Sequence, residues 1–163
     1  MNNIFWIIEK KIAGRAGPDK FPWDMNEIRE NGFSSIISVN NGKNCNVEEI
    51  TLSGLTYACI PLSNNAPPIP GDMEVCLKQL PIAYSFIKNN LKNGSVMIHC
   101  MSGKDRTGLM LAYYLMKEKK ISPKEAMAMV IERRSIAFSA NGWMEFCLEI
   151  LKKANTSNLN NYE

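Results

Sequence analysis

His99-Cys100-Met101-Ser102-Gly103-Lys104-Asp105-Arg106-Thr107-Gly108 is the stretch that decides how this chain folds. It follows the apolar run Val96-Met97-Ile98, which reads as a short buried strand, and precedes residues 109–116, apolar and rich in helix formers. A thiol therefore falls where a strand ends, and an arginine falls six residues later where a helix begins. That is the layout of an anion-binding loop with a nucleophile at its base. A cysteine attacks as thiolate, and its pKa drops beside a helix N-terminus and a cation. The unpaired N–H groups of the first helical turn favour negative charge there. The five residues between Cys100 and Arg106 can curl so that successive N–H groups form a nest. Gly103 supplies a turn position where a side chain would crowd the ligand. Arg106 offers a planar fork for two phosphate oxygens. The group transferred would be phosphoryl, carried on sulfur and then released to water.

The pattern resembles the motif of the cysteine-based protein tyrosine phosphatase superfamily: His-Cys, five residues, then Arg followed by Ser or Thr. His99, Cys100, Gly103, Arg106 and Thr107 match it. The resemblance implies that Cys100 is the nucleophile and that Arg106 binds phosphate and stabilises the transition state. It implies that the Thr107 hydroxyl assists the thiolate and that His99 tunes it through hydrogen bonds beneath the loop. Met101, Ser102, Gly103, Lys104 and Asp105 would complete the phosphate-binding loop with Arg106.

Working outward, the order of elements is α/β. An opening strand region is expected over residues 5–12, ended by Gly14 and by Gly17-Pro18. A short helix follows over 22–30, then strands over 35–39 and 56–62 with an Asn/Gly-rich turn between them. A proline-rich loop, Ala66-Pro67-Pro68-Ile69-Pro70-Gly71, leads to a helix over 72–93 that Pro81 would kink or split. Ser122-Pro123-Lys124-Glu125 is a capping box that starts a helix running to about Arg134. A last helix carries Trp143, Phe146, Cys147, Ile150, Leu151 and Ala154 on one face. This order is similar to that of the compact atypical dual-specificity phosphatases, which implies a central four- or five-stranded sheet flanked by helices. One phosphatase domain over residues 1–154 is expected, with a polar tail over 155–163.

The chain departs from that branch where a general acid is expected. Ile60-Pro61-Leu62-Ser63-Asn64-Asn65-Ala66-Pro67-Pro68 places Asn64 where relatives carry an aspartate that protonates the leaving oxygen. Asp72 and Asp105 are the candidate replacements. Asp72, in a position that also suits a helix N-cap, is counted with Cys100, Arg106 and Thr107 among the catalytic residues. Asn141 falls near a glutamine that positions water in many relatives, and it also suits a turn before Gly142. Lys104 in the loop resembles phosphatases of phosphoinositides and inositol phosphates.

Composition agrees with an enzyme domain. Apolar residues make up 45% and charged residues 21% of the 163, the balance of an ordinary globular chain. The net charge of +3 comes without a basic stripe interleaved with aromatics, which argues against nucleic-acid binding. Ile4-Phe5-Trp6-Ile7-Ile8 is too short for a signal peptide, and no segment reaches membrane-spanning length. The five cysteines form no metal-like pairs, so a reduced cytoplasmic setting is expected, although export without a cleavable signal stays compatible with the sequence. No metal or other cofactor is needed, because Arg106 and the loop supply the positive charge. The expected activity is hydrolysis of phosphomonoesters by a monomer acting on phosphorylated protein. The alternatives are a phosphoinositide phosphatase of the same fold and a phosphate-binding module with weak turnover.

Overall fold

The computed structural model describes residues 1–160. Eleven elements follow one another: β1 (Ile4–Ile8), β2 (Ile12–Ala16), α1 (Met25–Glu30), β3 (Phe33–Ser38), α2 (Val47–Leu52), β4 (Thr56–Cys59), α3 (Asp72–Asn90), β5 (Ser95–Cys100), α4 (Asp105–Lys119), α5 (Pro123–Arg133) and α6 (Trp143–Asn160). The five strands form one sheet in the order β1-β2-β5-β3-β4, with β1 antiparallel to β2 and the rest parallel.

β5 lies at the centre and is buried along its whole length, so its apolar run needs no alternation with polar residues. Successive side chains still point to opposite faces of the sheet. Val96, Ile98 and Cys100 join the larger core, which α3, α4, α5 and α6 cover. Met97 joins the smaller core under α1 and α2 with Met25, Ile28, Ile36 and Ile50. This parity puts Cys100 on the α4 face and His99 on the other.

Several expectations need correction. The opening strand is a hairpin: the chain reverses at Lys10, which takes a left-handed conformation (φ 59°), and β2 pairs back on β1. Gly14 continues β2, because a Cβ there would fall 2.2 Å from Cζ of Phe5, whose ring covers that position. α2 was not anticipated, having only six residues and so no readable periodicity; Asn46 caps it by accepting from the Glu49 N–H at 3.1 Å. β4 stops at Cys59, short of the proline that follows Ile60. α3 is one uninterrupted helix with Pro81 on its exposed side. The capping box at Ser122 forms as expected, Oγ accepting from Glu125 N at 3.1 Å. α6 continues through Asn160, beyond Asn155 where a polar tail was expected to begin; residues 161–163 of that tail lie outside the described residues. No helix among the described residues is long and apolar enough to cross a membrane.

Candidate active site

Cys100 closes β5 and Asp105 opens α4, so the four residues 101–104 curl between a strand end and a helix N-terminus. Three carbonyls of that curl are taken by donors outside it. Met101 O accepts from Gly17 N at 2.9 Å, Ser102 O from Arg134 Nη2 at 2.8 Å, and Gly103 O from Arg134 Nε at 3.2 Å. Since the N–H and C=O of each peptide point in opposite directions, holding the carbonyls outward leaves the N–H groups for the concave side. Gly103 serves a different purpose from the one expected. It sits at φ 63°, and a Cβ there would come 2.6–2.7 Å from the Arg15 and Ala16 backbone, so what it avoids is the backbone of β2 rather than a ligand.

The nucleophile candidate Cys100 is buried, and Thr107 Oγ1 donates to its Sγ at 3.1 Å. Arg106 makes no hydrogen bond or ion pair among the described residues, which leaves its fork for a ligand. Lys104, by contrast, is committed: Nζ lies 2.7 Å from Asp105 Oδ2 and donates to Ser139 Oγ at 3.1 Å. Asp105 also accepts from Ala140 N at 3.3 Å, so the Lys104-Asp105 pair ties the loop to the segment before α6.

Beneath the loop, His99 Nδ1 lies 3.1 Å from the Cys100 carbonyl. A carbonyl only accepts, so Nδ1 carries the proton and Nε2 accepts from Ser38 Oγ at 2.5 Å. Ser38 then accepts from Tyr57 Oη at 2.7 Å. Burial lowers the His99 pKa to about 4, against the carbonyl bond that raises it, and the Arg106 charge lowers it further. The ring is therefore neutral at pH 7. Burial likewise pushes the Tyr57 hydroxyl up, so it stays protonated and able to donate. The Trp23 and His99 rings pack perpendicular to each other with centroids 4.5 Å apart.

The remaining candidates lie on the segment between β4 and α3. Asn64 is exposed and makes no described contact. Asp72 is buried as the first residue of α3, while Gly71 (φ 98°) takes the N-cap position. Its oxygens accept from Asn65 Nδ2 at 3.0 and 3.1 Å and from Ile69 N at 2.8 Å. It thus staples its own loop, and the Trp143 indole N–H donates to the Asn65 carbonyl at 2.9 Å from α6. Asn141 is exposed. The structure brings Cys100, Arg106, Thr107 and His99 together at one loop and holds Asp72 in bonds to another.

Sequence reasoning missed Arg134 as a clamp and Ser38 and Tyr57 as a relay. The one signal for Ser38 is a hydroxyl in an otherwise apolar strand end, opposite His99 in the β3–β5 register.

Comparison with known proteins agrees with this geometry. Residues 23–153 match the family model described as the dual specificity phosphatase catalytic domain. The tyrosine-protein phosphatase cdc-14 of Caenorhabditis elegans is 27% identical over 87% of this chain and 18% of its own length. Dual specificity protein phosphatase 1B of Arabidopsis thaliana is 27% identical over 74% of this chain and 78% of its own. A putative tyrosine-protein phosphatase of Acanthamoeba polyphaga mimivirus is 43% identical over 35% of this chain and 27% of its own. The chain thus spans well under a third of the length of two of these three relatives. Among solved structures, Tk-PTP in its active form superposes with a TM-score of 0.72 at 20% identity, covering 93% of this chain and 97% of that one. PTPMT1 in complex with PI(5)P gives 0.72 at 17% identity, covering 96% and 99%. At these identities the likeness is one of fold.

Proposed function

The chain belongs to the dual-specificity phosphatase catalytic-domain family, and from that premise we propose that it hydrolyses phosphomonoesters of phosphorylated protein through a cysteinyl-phosphate on Cys100. The observation that carries the reading is the Cys100 thiol, bonded by Thr107 at 3.1 Å, at the base of a loop whose carbonyls are turned outward. In the first step the Cys100 sulfur bonds to phosphorus and the bond from phosphorus to the leaving oxygen breaks. Arg106 and the loop N–H groups hold the three equatorial oxygens. Water then attacks phosphorus, the S–P bond breaks, and the Thr107 hydroxyl donates to the sulfur as its charge returns. Neutral His99, donating to the Cys100 carbonyl, fixes that peptide.

Protonation of the leaving oxygen by Asp72 requires its bonds to Asn65 and Ile69 to open first, and by Asp105 requires its ion pair with Lys104 to break. The same ion pair spends the Lys104 charge inside the protein, which favours a phosphoprotein over a multiply charged inositol phosphate as the substrate. The test is kcat/KM on phenyl phosphates of varied leaving-group pKa. General acid catalysis contributes about 10²–10⁴-fold, so a steep fall toward poor leaving groups is expected from an enzyme with Asn64 at the acid position. Cys100→Ser should form no phosphoenzyme while still binding oxyanions, and undiminished turnover in that variant would overturn the mechanism.

A further inference from the structure

A cavity of about 190 Å³ lies against the catalytic loop, lined by residues 17–19 and 40–45 together with His99 and Met101. Met101 follows Cys100 directly, so a group seated here would be a near neighbour of a phosphate held at the thiol. The 40–45 wall is built to hold its shape. Asn40 Oδ1 accepts from Gly42 N at 3.0 Å and Asn41 Oδ1 from Lys43 N at 3.1 Å, two consecutive side-chain-closed turns. Gly42 adopts φ 64° above the Tyr57 hydroxyl, where a Cβ would come within 2.6 Å of that oxygen. The wall therefore rests on the same tyrosine that feeds the His99 relay.

Because both carbonyl oxygens are used by their own turns, the amide nitrogens of Asn40 and Asn41 have no protein acceptor among the described residues, and neither has Lys43 Nζ. The one carboxylate lining the cavity, Asp19, already accepts from Asn44 Nδ2. The groups left for a ligand are thus mainly donors, one of them cationic, beside the apolar surfaces of Pro18 and Met101. A ligand that matches is rich in acceptors, carries negative charge and fills the space of one side chain.

Building on the phosphatase reading, we propose that this cavity is a flanking subsite that receives an acidic side chain next to the phosphorylated residue of a protein substrate. Lys43 and the two asparagine amides bind its carboxylate. The Asp19 carboxylate, which also lines the cavity, keeps the preference moderate. The mixed donor and apolar lining suits a peptide segment better than an inositol ring with phosphates on several sides.

The test uses the full chain and three matched phosphotyrosine peptides with Glu, Gln or Lys beside the phosphotyrosine. The expected kcat/KM ratio of the Glu to the Lys peptide is about 2–5-fold at low salt, the scale of one partly screened charge pair. Lys43→Glu should reverse the order and Asp19→Asn should widen it. The ratio cancels any general loss of activity, and the unfolding midpoint of each variant checks the fold. Equal ratios in all three proteins would overturn the proposal. So would a water-soluble phosphoinositide that outcompetes every peptide and loses that advantage on Lys43→Glu. Absence of turnover on p-nitrophenyl phosphate would strike the phosphatase reading alone; peptide affinities of wild-type and Lys43→Glu protein would then read the subsite without it.

Discussion

The loop over residues 99–108 and the segment over 62–72 both lead into the N-terminus of a long helix, and in each the first helical residue is an aspartate. They differ in which groups the fixing bonds use up. The first is held by its carbonyls, through Gly17 and Arg134 from distant parts of the chain, and this leaves its N–H groups and Arg106 for a ligand. The second is held by the Trp143 bond to the Asn65 carbonyl and by its only carboxylate, which Asp72 turns inward onto Asn65 and Ile69. Where the fixing bonds use groups the chemistry does not need, a site is ready for substrate. Where they use the group the chemistry would call on, that group must be freed first. The loop that opens α4 belongs to the first kind and the segment that carries Asp72 to the second.

The comparison breaks most directly at Arg134. Its guanidinium gives two hydrogen bonds to the catalytic loop and lies 5.8 Å from the Phe5 ring centroid. Hydrogen bonds from a charged donor contribute about 1.5–3 kcal/mol, so Arg134→Ala should lower kcat/KM by about 10–100-fold. The affinity for orthovanadate should fall in parallel, because the loop that loosens is the one that holds the oxygens. Arg134→Lys keeps the charge without the fork and should recover only part. Loss of activity with unchanged oxyanion affinity would show that the loop keeps its curl without the clamp.

How much of this was visible in the sequence follows from the same division. The thiol, the arginine, the threonine hydroxyl and the start of the helix lie within one stretch of ten residues, and strand and helix periodicity on either side places them. Arg134 was not legible as a clamp, because it reaches the loop across 31 and 32 residues. Ser38 lies 61 residues from His99 and meets it only through the register of two parallel strands. The β1–β2 turn escaped because Lys10 adopts a conformation that usually advertises itself as glycine or asparagine. Asn64 could be read as a missing acid, but the inward turn of Asp72 depends on Asn65 and the Ile69 amide lying within reach of it.

A second effect sharpens the account of the first loop from beneath. His99 titrates at about 4 in the folded protein against an ordinary 6.5, so the unfolded chain binds its proton more readily. Stability from this residue is complete above pH 6.5 and is lost as the pH falls toward 4. The difference corresponds to about 3 kcal/mol. Thermal unfolding midpoints of wild-type protein should drop across that window more steeply than those of His99→Gln, which carries no such proton. Parallel pH profiles would mean that the ring is charged or solvated in the folded state, and the Ser38–Tyr57 relay would lose its direction.

The smallest expected effect tests the second region. Asp72→Asn keeps the shape and one acceptor for the Ile69 N–H but sets an amide nitrogen against Asn65 Nδ2, where the native oxygen accepted. If Asp72 chiefly staples the loop, the variant should lose about 1–2 kcal/mol of stability. Rates on p-nitrophenyl phosphate and on an alkyl phosphate should then change by the same small factor, since both substrates depend on the loop alike. A loss confined to the alkyl phosphate, whose leaving oxygen needs a proton, would instead make Asp72 the general acid and show that its bonds to Asn65 and Ile69 open during turnover. The two halves of the site would then differ in timing rather than in readiness, with the oxyanion loop set beforehand and the acid released only when substrate arrives.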